Sequence, residues 1–135
     1  MNDQATGSCL CGAVRFRVHG AFEHFFLCYC SRCRKGSGSA HAANVFASDA
    51  TVEWLSGEEK VRVFEFPGTR HAKCFCSDCG SALPRASAGR GLVVVPAGSL
   101  DTPLKIRPDA RISYASRADW VDELDCVETI DGLPG

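Results

Sequence analysis

Cys28-Tyr29-Cys30-Ser31-Arg32-Cys33 packs three thiols into six residues and stands between two further thiol pairs, Cys9-Leu10-Cys11 and Cys76-Ser77-Asp78-Cys79. Nine cysteines occur in 135 residues, and residues 1–8 lack the charged and apolar regions of a secretory leader. The expected location is therefore the cytoplasm, where thiols stay reduced, so metal binding explains the cysteines better than disulfides do.

The spacings can be tested against the geometry of zinc. In a zinc–thiolate tetrahedron the Zn–S distance is about 2.3 Å and neighbouring sulfurs lie roughly 3.8 Å apart. Two cysteines at i and i+2 of a strand share a face, but their Cα atoms stand about 6.6 Å apart. The chain must curl at each C-x-C, which places these pairs at strand ends. A C-x-x-C turn brings its sulfurs together readily. Gly12 after Cys11 and Gly80 after Cys79 supply the tolerance of positive φ that such a knuckle needs.

Structural zinc sites are closed by four protein ligands, whereas catalytic ones keep three and leave a position open. Cys9, Cys11, Cys76 and Cys79 form a candidate closed set that clamps distant segments together. Cys28, Cys30 and Cys33 form a set of three, whose fourth place falls to water, an incoming thiol or Cys74. Two Zn²⁺ per chain are expected, one structural and one catalytic and more labile.

Composition sets the frame. Hydrophobic residues make up 45% and charged residues 23%, close to globular averages. One domain, residues 1–135, is expected, with an ordered core over about 7–125 and a frayed, polar stretch at 1–7. A formal charge of −1 gives no basic excess for nucleic acid and no attraction to a membrane surface. The longest apolar run, residues 91–97, is too short to span a bilayer.

Alternating apolar residues predict strands over 14–18, 22–27, 40–46, 51–55, 60–66, 92–95 and 111–114, with turn signals about every ten residues. Residues 31–39 read as a turn or single helical turn, 69–75 as a lead into the second thiol pair, and 116–124 as a short amphipathic turn. Trp54, Phe64 and Phe66 have strand spacing and are assigned to the core. The class is mostly β, with many short strands and long connections.

Three blocks carry a family resemblance: residues 7–16 around Cys9-Leu10-Cys11-Gly12, residues 28–35 with Gly38-Ser39-Ala40, and residues 75–81 around Cys76-Ser77-Asp78-Cys79-Gly80. Gly98-Ser99-Leu100-Asp101, Pro103 and Trp120 also fit. In these blocks the chain resembles the glutathione-dependent formaldehyde-activating enzyme family, which is related to the centromere protein V group. The resemblance implies an all-β fold of small twisted antiparallel sheets, the β-tent. It also implies a structural zinc on Cys9, Cys11, Cys76 and Cys79 and a catalytic zinc on Cys28, Cys30 and Cys33. The implied activity joins glutathione to formaldehyde, giving S-hydroxymethylglutathione, in the manner of a carbon–sulfur lyase run in reverse. Cys74 departs from the family pattern as an extra thiol, and Cys126 lies in a loosely patterned tail.

A free thiol is only a few per cent ionised at neutral pH, so a metal that ionises it and holds it beside a carbonyl supplies both activation and proximity. Arg32, Arg34 and Lys35 carry charge that would meet the two carboxylates of glutathione. Among the four histidines, His41 and His71 are the candidates for a proton shuttle. Two other functions compete with this one: a non-catalytic zinc-stabilised protein-interaction module, and a thiol-redox enzyme that would need Cys74 or Cys126 as its reactive thiol.

Overall fold

The computed structural model describes residues 4–87 and 91–135. Its strands are β1 (Gln4–Ser8), β2 (Arg15–His19), β3 (His24–Cys28), β4 (Ala42–Ala47), β5 (Thr51–Ser56), β6 (Val61–Glu65), β7 (Ala72–Cys76), β8 (Ala82–Leu83), β9 (Arg85–Ala86), β10 (Val93–Pro96) and β11 (Ala110–Ile112). One helix, α1 (Ser31–Ser37), follows β3.

The strands assemble into three small sheets, ordered β1-β2-β5, β11-β3-β4-β10-β9 and β6-β7-β8. All pairings are antiparallel except β11 against β3, which is parallel, so the middle sheet is mixed. The mostly β class expected from alternation is the class observed.

The core follows from that alternation. Phe16 and Val18 on β2, Phe25 on β3, Val45 and Ala47 on β4, and Val93 and Val95 on β10 are all buried. They form one cluster with Cys9, Cys74, Cys76 and Leu83. Phe16 is fully buried and meets Trp54 edge to face at 6.2 Å. A smaller cluster joins Tyr29, Ala40 and Val121, with Tyr29 between Tyr114 at 5.0 Å and His41 at 4.9 Å.

Four expectations need correction. Residues 4–7, read as frayed, form most of β1, because their backbone pairs with β2 over the full register Gln4↔His19 to Ser8↔Arg15; residues 1–3 lie outside the described residues. The turn or single helical turn read over residues 31–39 is a longer, seven-residue helix, Ser31–Ser37, with the Cys30 side chain accepting from the Cys33 N–H at its start. Phe64 on β6 and Phe66 just after it, assigned to the core, are 57% and 42% exposed, because β6 is exposed on both faces from Arg62 to Glu65, with no second layer of the described residues packed over it. The segment after Ser113 is a series of 3-10 turns, Tyr114–Ser116, Asp119–Val121 and Leu124–Cys126, which buries Val121 and leaves Trp120 57% exposed.

Candidate metal centres and cavity

The thiols fall into the two groups that their spacing suggested. Among the described residues, the sulfurs of Cys9, Cys11, Cys76 and Cys79 lie within 4.8 Å of one another, and so do those of Cys28, Cys30 and Cys33.

The four-thiol group is built from two knuckles. Cys9 leaves β1 and the chain turns back, with Gly12 N–H donating to Cys9 O at 3.1 Å and Cys9 N–H to Val14 O at 3.0 Å. Cys76 ends β7, and Gly80 N–H donates to Cys76 O at 2.7 Å. Gly12 and Gly80 adopt φ of 80° and 77°, the left-handed region that side chains disfavour. Ser81 ties the knuckles together: its hydroxyl accepts from Leu10 N–H at 2.9 Å and lies 3.2 Å from Cys79 Sγ. That hydroxyl, then the backbone N–H groups of Cys11 and Ser81, hold the Cys79 thiol down at about 5.

The Cys9–Cys11 and Cys11–Cys76 sulfur separations are 3.5 and 4.0 Å, bracketing the roughly 3.8 Å edge of a zinc–thiolate tetrahedron. The donor set therefore fits zinc. Lys60 and Asp78, paired at 2.7 Å, brace the second knuckle against the start of β6.

The three-thiol group sits where β3 runs into α1. Cys28 ends the strand, Cys30 caps the helix, and Cys33 lies in its first turn, so the curl demanded by C-x-C is supplied by a strand-to-helix corner. Burial, then the neighbouring thiols of Cys28 and Cys30, push the Cys33 thiol up, and a cation placed among the three sulfurs would favour the thiolate against both. No fourth Cys, His, Asp or Glu joins this group among the described residues. Cys74 opens onto the same cavity but is not one of the close group; burial pushes its thiol up, away from the thiolate form a redox nucleophile needs. Cys126, the ninth cysteine, is exposed in the tail.

The cavity beside the three thiols measures about 560 Å³. Arg32, Arg70, Lys73 and Arg85 line it, as do His41 and His71. Of the three basic residues expected to meet substrate, Arg32 lines the cavity, with its guanidinium 5.5 Å from the Phe66 ring centre. Arg34 instead turns toward Ser116 O at 3.5 Å, and neither it nor Lys35 lines the cavity.

Arg70, Lys73 and Arg85 were missed because they arrive from distant segments: Arg70 from the loop before β7, Lys73 from β7 in another sheet, and Arg85 from β9 at the far edge of the five-stranded sheet. The available signal was strand parity, which sets Lys73 opposite the Cys74 and Cys76 face of β7. Lys73 Nζ donates to Gly36 O, joining β7 to α1. Both histidines are held below their usual value, His41 by burial and then Arg111, and His71 by burial and then Arg32 and Arg85. Burial and the neighbouring arginines thus favour the neutral imidazole in both. No helix among the described residues is long and apolar enough to cross a membrane.

Comparison with known proteins gives these features a family. A solved structure of a Rhodobacter sphaeroides protein shares the fold at a TM-score of 0.53, with 24% identity over 76% of this chain and 91% of that one. A Halomonas elongata protein that bears, provisionally, the name glutathione-dependent formaldehyde-activating enzyme is 36% identical over 126 residues, covering 86% of this chain and 78% of the relative. The family model for glutathione-dependent formaldehyde-activating enzyme matches residues 4–116. That span runs from β1 to the turn after β11 and takes in both thiol groups and the cavity, so the chain belongs to the glutathione-dependent formaldehyde-activating enzyme family.

Proposed function

We propose that the protein joins a small anionic thiol of the glutathione type to formaldehyde or a similar aldehyde, and cleaves the adduct in reverse, as a zinc-dependent carbon–sulfur lyase. The observation that carries this reading is a three-thiol group with no fourth protein donor beside it, facing a cavity rimmed by cations. Zinc held by Cys28, Cys30 and Cys33 would supply a coordination position in which an incoming thiol is ionised.

The chain's own residues then have distinct tasks. Arg32, Arg70, Lys73 and Arg85 bind the carboxylates of the thiol substrate and fix its sulfur end toward the three cysteines. His71, kept neutral by burial and its arginine neighbours, takes the thiol proton on its imidazole and returns it to the carbonyl oxygen as the S–C bond forms. No electron is transferred, so neither Cys74 nor Cys126 is needed. Cys9, Cys11, Cys76 and Cys79 would hold the second zinc, their sulfurs coming from the β1–β2 corner and the end of β7.

The test is zinc content together with the exchange rate between glutathione–formaldehyde adduct and free components, followed by magnetisation-transfer NMR. Two zincs per chain and accelerated exchange are expected, with Cys28→Ser retaining one zinc and losing acceleration by about 100-fold or more. Unaccelerated exchange in zinc-replete protein, or full acceleration in Cys28→Ser, would rule the reading out.

A further inference from the structure

The cavity has two unlike walls, and only one is explained by an anionic thiol. Alternation sends Phe25, Val45, Ala47, Val93 and Val95 of the five-stranded sheet into the core. The opposite face of a sheet with one buried face is ordinarily polar. Here it presents Ala42, Asn44 and Phe46 from β4 and Val94 and Pro96 from β10, all half-buried and all lining the cavity.

Register ties this wall to the thiols. Cys28 lies directly opposite Ala42, Asn44 opposite Pro96, and Phe46 opposite Val94. The wall therefore begins at the three-thiol corner and runs away from it along the sheet. Beside this wall, on β3, Phe26 lies opposite Asn44 and His24 opposite Phe46, with Phe26 at 5.8 Å from Phe46 and His24 stacked on Phe26 at 5.7 Å, outside the cavity lining.

Size points the same way. Formaldehyde has two non-hydrogen atoms and fills about the volume of one or two waters, each roughly 30 Å³ in the liquid. It would touch the Cys28–Ala42 corner and leave the rest of the apolar wall in water. From this two-walled geometry, and resting on the proposed function above, we infer that the carbonyl substrate carries an apolar substituent, alkyl or aryl, which lies along Phe46, Val94 and Pro96 while the thiol's carboxylates lie along the basic wall. The step balances without a further reactant: the thiol S–H bond breaks, an S–C bond forms to the aldehyde carbon, and the proton goes to the former carbonyl oxygen.

The experiment uses the zinc-loaded full chain and two stable thioethers that mimic the adduct, S-methylglutathione and S-benzylglutathione, compared by calorimetry. Burying an aryl group on this wall predicts S-benzylglutathione to bind roughly 10-fold or more tightly than S-methylglutathione. Phe46→Asn and, as the milder change, Val94→Thr bring that ratio toward one, with folding checked by circular dichroism.

Exchange kinetics with formaldehyde and with benzaldehyde run in parallel, and benzaldehyde adduct exchange is expected to be accelerated at least as strongly. Equal affinities for the two thioethers, or a preference unmoved by both variants, would overturn the inference. If formaldehyde exchange were still accelerated in that case, the proposed function would stand without it. Failure of both aldehydes and both thioethers would instead remove the proposed function and this inference together.

Discussion

Gly57 follows β5 at φ 74°, and an added Cβ would lie 2.2 Å from the carbonyl oxygen and 2.8 Å from the carbonyl carbon of Ala13. Backbone cannot swing aside as a side-chain tip can. Gly57→Ala is therefore expected to destabilise the protein by about 3 kcal/mol, combining left-handed strain with a main-chain clash. In thermal unfolding this lowers Tm by roughly 10 °C, whereas Gly132→Ala, with nothing within 4 Å, leaves it unmoved. Ser56-Gly57 is legible in the sequence as turn punctuation. Its approach to Ala13, more than forty residues earlier, is not, because a tertiary contact leaves no local pattern. Arg32, Arg34 and Lys35 illustrate the same limit. Taken as a turn, the three share one surface, but a helix rotates about 100° per residue, so Arg34 is carried to the side opposite Arg32 and reaches Ser116 instead of the cavity.

At the scale of elements, α1 begins on a thiol. Cys30 Sγ accepts the Cys33 N–H at 3.4 Å, so one side chain both caps the helix and belongs to the three-thiol group. Serine caps helices well, and Cys30→Ser should leave the far-ultraviolet circular dichroism of the protein unchanged while lowering bound zinc from two equivalents to one. A loss of helix and sheet signal in that variant would show that the thiol group organises the corner rather than the reverse. The strand pattern was readable because apolar alternation has a period of two wherever one face is buried, as in Val14, Phe16 and Val18. It failed at β6, where Val63 and Phe64, adjacent and therefore on opposite faces, are 53% and 57% exposed. Alternation identifies a strand and cannot say whether a second sheet covers it.

Across the whole molecule, the two thiol groups carry different loads. The four-thiol group joins the β1–β2 corner to β7, which belongs to a different sheet; the three-thiol group lies within one strand-to-helix corner. Titration with a chelator is expected to remove the first equivalent of zinc, from Cys28, Cys30 and Cys33, with little change in Tm. Removal of the second should coincide with a fall of roughly 10 °C or more, and Cys76→Ser should show that lowered Tm from the outset. Simultaneous loss of both equivalents in one transition would contradict this division. Which sulfurs meet within each C-x-C and C-x-x-C was legible, because local spacing limits it; that Cys9 and Cys11 meet Cys76 and Cys79, and that Cys74 stays outside the three-thiol group, depends on the closed fold. The cavity was not legible either, since its walls come from segments as far apart as Arg32, Arg70 and Val94, and only the closed fold assembles them.

The sequence separation of the two groups also orders events in time. Cys28 to Cys33 spans a single short segment, while Cys11 and Cys76 stand 65 positions apart. An unfolded chain can wrap the short segment around a metal in one fast local step, whereas the distant pair must first close a long loop and so waits on the sheets. Refolding in the presence of zinc is therefore expected to take up metal in two kinetic phases. The rapid phase should survive Cys9→Ser, and the slow one should track the formation of tertiary structure.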